Sequence, residues 1–160
     1  MHLRTALSIS LLVVLSHFSF ALEAPTALQH LADESDRIVR GRVMKLTYSH
    51  ATNTYGDELI YTHATVRVAE ALKGDRSDLV VKIEGGTLNG ITLTVSDSAT
   101  FQTGEEVLVF LKKDLMEYQP LTRSGSKYTI SSGGKVLQNG LQYTAFRTEI
   151  LRAVQNRRVR

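Results

Sequence analysis

Apolar and polar residues alternate along residues 60–68, which read IYTHATVRV. Successive side chains of a β-strand point to opposite faces, so this period of two predicts a half-buried strand. The face expected to point into the core carries Ile60, Thr62, Ala64, Val66 and Val68. The opposite face carries Tyr61, His63, Thr65 and Arg67.

Other segments also have the composition of strands. They are residues 36–48, 79–84, 91–95, 107–111, 118–121 and 128–131. Gly41 predicts a bulge inside the first of them, and Asn89-Gly90 predicts a hairpin turn. Residues 50–57 are predicted to form a polar loop. Several short strands with turn signals at close intervals predict one small β-barrel.

Helical periodicity is found near both ends of this β-rich region. Residues 27–35 place Leu28, Leu31 and Ala32 on one face, which predicts a short helix. Thr144 is expected to cap a second helix. The apolar face of that helix carries Phe146, Ile150, Ala153 and Val154.

The buried and exposed aromatic residues can also be assigned from these patterns. Phe101, Phe110 and Phe146 are expected in the core. Candidates for exposed aromatic residues are Tyr48, Tyr55 and Tyr61. The adjacent carboxylates Glu105 and Glu106 follow a glycine, and we expect them to keep a sheet edge or hairpin corner charged.

The first residues have the features of a secretory signal peptide. A short basic start ending at Arg4 precedes the apolar run 6–21, which is shorter than the roughly 20 residues that span a membrane. Ser19 and Ala21 are the small residues that favour cleavage after Ala21, with Ala24 as the alternative. The predicted organisation is therefore a signal peptide over 1–21, one domain over 27–155 and a basic tail over 156–160. The protein is expected to be secreted or periplasmic.

Composition excludes several classes of site. The chain has no cysteine, which excludes disulfide scaffolds, cysteine nucleophiles and cysteine-bound metals. Removing Arg4 with the signal peptide leaves a formal charge of +2, which does not indicate a nucleic-acid partner. No second apolar segment is long enough to span a membrane in the mature chain.

The predicted mature chain contains no motif of a catalytic, metal or cofactor site. His30, His50 and His63 have no spacing typical of metal ligands. Ser124-Gly125-Ser126 resembles a turn more than the elbow that presents a serine nucleophile. No catalytic residue, metal ligand or cofactor is therefore predicted.

The most motif-like stretch, Lys73-Gly74, is also predicted to be a turn. A phosphate-binding loop of the P-loop type needs two glycines before a Lys-Ser/Thr pair that opens a helix. Here the lysine precedes its glycine, and the charged residues 75–78 lead into another strand. Backbone N–H groups would not converge there on a phosphate.

The order of these segments resembles a widespread family of small secreted bacterial proteins. The resemblance covers residues 30–152 and rests on five motifs together. They are ADESDRIVRGRV at 32–43, IYTHATVRV at 60–68, ALKG at 71–74, EGG at 84–86 and FQTGEEVLVFL at 101–111. More distantly, the layout resembles the OB-like barrel of netrin-like domains and tissue inhibitors of metalloproteinases.

The resemblance implies a mainly β fold, a small OB-like (netrin-like) β-barrel with a short helix at each end, after a cleaved signal peptide. It implies no inhibitory mechanism, because those inhibitors hold the protease zinc through an N-terminal cysteine and this chain has none. No inhibitory residue can therefore be transferred to this sequence.

The function expected from these observations is non-enzymatic binding. A protein partner is favoured, with an extracellular protease as its most specific form. An oligosaccharide or envelope polymer is the alternative, because OB-like barrels also bind extended sugars. Nucleic acid is not expected. The candidate partner-binding residues are Tyr61, His63 and Arg67, since tyrosine and arginine often anchor interfaces and histidine changes charge between about pH 5 and 8.

Overall fold

The computed structural model describes residues 26–53 and 55–157, and the predicted signal peptide and the last three residues lie outside them. The fold is mainly β with a helix near each end, as predicted. The elements are α1 (Ala27–Glu34), β1 (Arg37–Thr52), β2 (Glu58–Lys73), β3 (Leu79–Glu84), β4 (Gly86–Leu88), β5 (Ile91–Leu93), β6 (Glu106–Asp114), β7 (Glu117–Pro120), β8 (Lys127–Ile130) and α2 (Tyr143–Arg157).

Five strands pair into a closed ring in the order β1-β2-β3-β7-β6, with β6 pairing back to β1. The contact between β3 and β7 is parallel, and the other pairings in the ring are antiparallel. Strand β8 adds to β6 outside the ring. Strands β4 and β5 form a separate hairpin, whose turn Asn89-Gly90 has positive φ at both residues, as the sequence predicted.

The two 16-residue strands β1 and β2 are long enough to pair on both sides, and bulges bend them. The register of β1 against β2 shifts at Arg40/Gly41, which confirms the predicted bulge, and again between Val43 and Lys45. A bulge increases the local twist of a strand. This bending lets β1 pair with β2 along its length and with β6 at its first half.

Two cores hold the structure together. The first fills the ring, and it includes Val66, Phe101 and Val109. The second lies between the helices and the strands β1, β6 and β8, and it includes Phe110, Phe146 and Ile150. The three phenylalanines are buried as predicted, and the apolar inward positions of β2 are confirmed.

Strand β2 ends at Lys73 and the chain turns at Gly74, as predicted, while the Lys73 side chain connects this turn to helix α1. Gly74 has φ of 81°, and it leads from β2 into the loop before β3. The Lys73 Nζ donates hydrogen bonds to the carbonyl oxygens of Ala32 (2.7 Å) and Asp33 (3.3 Å). A lysine at the carbonyl end of a helix stabilises that end.

Some sequence predictions are corrected. Strand β1 continues to Thr52, so only residues 53–57 connect β1 to β2. Thr144 lies inside α2, because the Ala145 and Phe146 N–H groups already bond the Gln142 carbonyl oxygen. The helix reaches Arg157, so the predicted tail begins inside it.

Glu105 and Glu106 are also not an exposed charged edge. Glu105 pairs with Lys127 at 2.9 Å, and both side chains are largely buried. Glu106 pairs with Arg40. Each carboxylate thus pairs with a cation on a neighbouring strand, and this pairing offsets the cost of burying Glu105 and Glu106 in part.

Candidate binding face

One side of β1, β2 and β3 points away from the ring, and we call it the outer face. The register places His63 of β2 between Thr47 of β1 and Lys82 of β3. Thr65 of β2 lies between Lys45 and Val80 in the same way. The outer face is therefore polar and basic, in contrast to the apolar interior of the ring.

The bulge at Met44 decides which β1 residues belong to this face. Arg42 pairs with Arg67, and Lys45 pairs with Thr65. Residues 65 and 67 of a regular strand share a face, so Arg42 and Lys45 also share it although they are three positions apart. We call Arg42, Lys45 and Arg67 the cationic patch; all three are exposed.

Tyr61 lies on the predicted face but is not exposed. Its side chain is 7% exposed, and the Lys82 Nζ lies 4.3 Å from the centre of its ring. This cation–π contact and the neighbouring strands cover the ring. The expectation that Tyr61 is a surface aromatic is wrong, whereas Tyr48 and Tyr55 are exposed as expected.

His63 belongs to a row of polar side chains that crosses the outer face. The Ser49 Oγ lies 2.8 Å from the His63 Nε2. The Glu117 Oε1 of β7 lies 3.8 Å from the His63 Nδ1, and the Glu117 Oε2 accepts a hydrogen bond of 2.9 Å from Lys82. The sequence did not predict this row, because its members come from four strands.

The order serine, histidine, carboxylate is that of a hydrolase triad, but the geometry does not complete one. The distance between Glu117 and His63 exceeds a hydrogen bond, and Lys82 already holds that carboxylate. Ser49 lies within the paired part of β1, opposite Tyr61, and not on a tight turn that presents a nucleophile. We interpret the row as a set of cross-strand contacts.

Exposed apolar residues occupy the tips of two hairpins. Tyr55, between β1 and β2, is 90% exposed. Leu115 and Met116, between β6 and β7, are 89% and 88% exposed. Leu115 also has φ of 53°, a conformation that costs a non-glycine residue about 1 kcal/mol or more. The two-residue turn between the paired Asp114 and Glu117 requires this conformation, which glycine would adopt at a lower cost than leucine.

The tip of β6–β7 is close to the outer face. Glu117, the residue that follows the tip, contacts His63 and Lys82, as described. Met116 and the exposed Val80 of β3 line one shallow groove of about 320 Å³ together with Asp78. The apolar tip therefore continues the surface of β3.

A second groove, of about 270 Å³, opens beside the β4–β5 hairpin. Its lining residues include the exposed Tyr48, Glu84 and five residues that carry hydroxyl groups. They are Thr62, Thr87, Thr94, Ser98 and Thr100, of which Thr62 and Ser98 donate to the carbonyl oxygens of Gly85 and Glu84. Gly86 leaves room for the Tyr48 ring, because a Cβ there would lie 2.9 Å from its Cδ1.

A separate polar network ties α2 to the sheet. The Glu70 carboxylate accepts hydrogen bonds from the Tyr143 hydroxyl (2.7 Å) and the Arg147 Nε (2.6 Å). Burial alone would raise the pKa of Glu70, but these hydrogen bonds and the charges of the nearby arginines outweigh it and lower that pKa. Burial, together with the Glu70 contact, raises the pKa of Tyr143 far above its ordinary value. This network has a structural role.

Arg37 is the one buried arginine of the described residues. Its guanidinium donates to the carbonyl oxygens of Asp75 and Ser77, both at 2.7 Å, and pairs with the Asp75 carboxylate at 3.1 Å. It also lies 5.1 Å from the centre of the Tyr118 ring. These contacts hold the loop between β2 and β3 against the start of β1.

Neither a protein-family model nor a curated protein matches this chain in sequence. Within residues 26–53 and 55–157, no three His, Asp or Glu side chains converge in a metal-binding arrangement. No helix of that same part combines the length and the apolar character needed to cross a membrane. The assignment of function therefore depends on the surfaces described above.

Proposed function

We propose that this protein is an exported, non-enzymatic binding domain that engages a protein partner through its outer face and the tips of its hairpins. The ring is interpreted as an OB-like barrel of β1, β2, β3, β6 and β7. Its strand order supports this, because the first strand pairs with the second and the fourth and the third runs parallel to the fifth. OB folds bind ligands on the face of strands two and three, between the loops that follow strands one and four.

Those two loops are the hairpin tips that expose Tyr55 and Leu115-Met116. The proposal rests on this observation: the exposed apolar residues lie in the same two loops with which OB folds bind their ligands. Tyrosine, methionine and arginine are enriched in protein interfaces relative to the rest of protein surfaces. Here exposed apolar tips border a face with arginines and hydroxyl groups, so one continuous surface offers both apolar and polar contacts to a partner. Strain at Leu115 fits a residue selected for contact with a partner.

Site-specific photo-crosslinking tests this proposal. A photoreactive residue placed at Met116 is expected to form a discrete crosslinked product in the exported fraction of the producing cells. The matched control places it at Leu137, which is also apolar and is 60% exposed, but lies outside the outer face and its tips. Equal crosslinking from both positions, or none from Met116, would contradict the proposal.

An oligosaccharide is the second candidate ligand, and the groove beside Tyr48 favours it. An exposed aromatic ring with a carboxylate and hydroxyl groups around it supplies both a stacking surface and hydrogen-bond partners for a neutral sugar. Titration with cellohexaose, followed by tyrosine fluorescence, tests this candidate. Binding by the native protein that Tyr48→Ala abolishes and Tyr55→Ala preserves would support it, and the absence of binding would remove it.

A further inference from the structure

The cationic patch stands out because three cations that form no ion pair among the described residues lie side by side on one face of the sheet. Carboxylates neutralise seven cationic side chains within the described residues. The pairs are Arg37–Asp75, Arg40–Glu106, His63–Glu117 (when His63 is protonated), Lys82–Glu117, Lys112–Asp36, Lys127–Glu105 and Arg147–Glu70. Arg42, Lys45 and Arg67 form no ion pair in that part of the chain.

The fold places these three charges together in spite of their repulsion. Arg42 and Arg67 are direct partners in the register of β1 and β2, and Lys45 is opposite Thr65, two positions from Arg67. Side chains directly opposite each other lie about 4.5–5.5 Å apart at Cβ, and like charges in that position are destabilising. The bulge at Met44 adds Lys45 to the same face.

No carboxylate of the neighbouring strands forms an ion pair with the patch, and Asp78, which is next to β3, accepts a hydrogen bond from the Val68 N–H. Glu106, opposite Arg42 on β6, pairs with Arg40. The Arg42 Nη1 instead donates to the Gly104 carbonyl oxygen at 3.0 Å, which leaves its positive charge uncompensated. Glu105, the next carboxylate, pairs with Lys127. The charge of the patch is therefore available to a ligand.

We propose that the protein partner places an acidic segment of its chain on the cationic patch, an inference that rests on the proposed function. Arginine binds carboxylates through two parallel hydrogen bonds, and Arg42 and Arg67 stand side by side. Alternate side chains of an extended peptide repeat every 6–7 Å, as do residues 65 and 67 of β2. Two carboxylates at alternate positions of the partner match Arg42 and Lys45, which lie opposite residues 67 and 65.

Binding of fluorescently labelled poly-L-glutamate to the full chain, measured by anisotropy at low salt, tests the inference. The variant Arg42→Gln/Lys45→Gln/Arg67→Gln is expected to bind at least about tenfold more weakly, since several charge-assisted contacts are lost. The control variant Lys113→Gln/Lys135→Gln/Arg152→Gln removes the same net charge from exposed cations on β6, in the loop after β8 and on α2. It is expected to retain binding within about twofold.

Equal losses in both variants would show an effect of net charge alone and would overturn the inference, as would absence of binding by the native protein. Tighter binding to heparin or single-stranded DNA at equal charge concentration would assign the patch to a different polyanion. The inference and the proposed function fail separately. If crosslinking from Met116 persists in the variant without Arg42, Lys45 and Arg67, and poly-L-glutamate binding is unaffected, the partner contacts the tips without using the patch.

Discussion

The carbonyl oxygen of Arg67 occupies the space in which a Cβ of Gly41 would stand. A Cβ built on Gly41 would approach that oxygen far more closely than side chains do in proteins, and it would lie 2.7 Å from the Cγ1 of Val66. Gly41 is located at the bulge where β1 pairs with β2 on one side and β6 on the other. The ring closes at this point because β1 and β2 approach without an intervening side chain.

Gly41→Ala is therefore expected to destabilise the protein by about 1–3 kcal/mol, because the obstruction is backbone and cannot move aside as a side chain would. Urea unfolding measures this change. The control is Gly133→Ala, since Gly133 has no positive φ and the nearest atom to its Cβ position is 4.0 Å away. A control change within about 0.5 kcal/mol is expected. Equal midpoints for Gly41→Ala and the native protein would contradict the assigned bulge.

Val66→Ala and Val109→Ala should each cost about 1–3 kcal/mol, from lost burial and the cavity that remains. Both side chains are fully buried in the core inside the ring. Val80→Ala on the outer face, where the side chain is 44% exposed, is the matched control and should change stability by less than about 0.5 kcal/mol. A Val80 variant as destabilised as the other two would reverse the assignment of faces.

Glu70 is expected to make stability depend on pH. Its pKa is lowered in the folded protein from the ordinary value of 4.5, chiefly because hydrogen bonds to the carboxylate outweigh the effect of burial. A carboxylate with a lowered folded pKa stabilises the fold fully above its unfolded pKa, and this stabilisation is lost as the pH falls through the folded pKa. The contribution of Glu70 is therefore present at neutral pH and declines below pH 4.5.

Glu70→Gln should accordingly lower the free energy of unfolding at pH 7 by about 1–3 kcal/mol, since charge-assisted hydrogen bonds to Tyr143 and Arg147 are weakened. Denaturation in urea at pH 7 and pH 3 should show that the difference from the native protein shrinks at the lower pH. Glu149→Gln changes an exposed carboxylate on α2, the helix that carries Tyr143 and Arg147, and serves as the control. A difference that stays constant between the two pH values would exclude Glu70 as its source.

Tyr61 and Arg67 are expected to behave differently when replaced by alanine. Tyr61→Ala removes a buried ring and should cost about 2–4 kcal/mol of stability. Arg67→Ala removes an exposed cation that faces Arg42, so stability should change by less than about 0.5 kcal/mol, while the complex with an acidic partner weakens. Melting temperatures of the two variants separate these roles. A strongly destabilised Arg67 variant would show that its side chain has a structural role.

The export prediction concerns residues outside those that the structure describes. Cleavage after Ala21 predicts that the exported protein begins at Leu22. N-terminal sequencing of the secreted or periplasmic protein checks this. A start at Pro25 would move the cleavage site to Ala24, whereas a start at Met1 would refute processing.

Local patterns predicted most of the secondary structure correctly. Alternation along residues 60–68 identified the inward face of β2, and Asn89-Gly90 identified the β4–β5 turn. These predictions succeed because the period of a strand and the φ requirement of a turn depend on neighbouring residues alone. Helix ends depend on more than the local sequence, and the predicted cap Thr144 lies two positions beyond Gln142, the residue that precedes α2.

The candidate face was predicted in part. His63 and Arg67 were assigned to the correct side of β2, but the burial of Tyr61 depends on Lys82, which lies 21 positions away in the chain. The row through Ser49, His63 and Glu117 also joins residues of distant segments. The alternation along one strand does not predict which residues of a neighbouring strand will lie beside it.

The amino-acid sequence was enough to establish a mainly β chain with a helix near each end, and the faces of its clearest strand, because these follow from interactions along the chain. The pairing of strands in the folded protein determined which residues of different strands share a face. Arg42 and Lys45 are three positions apart, so regular alternation would place them on opposite faces of β1. The bulge between Val43 and Lys45 brings both next to Arg67, because an extra residue in one strand shifts the alternation of every residue beyond it.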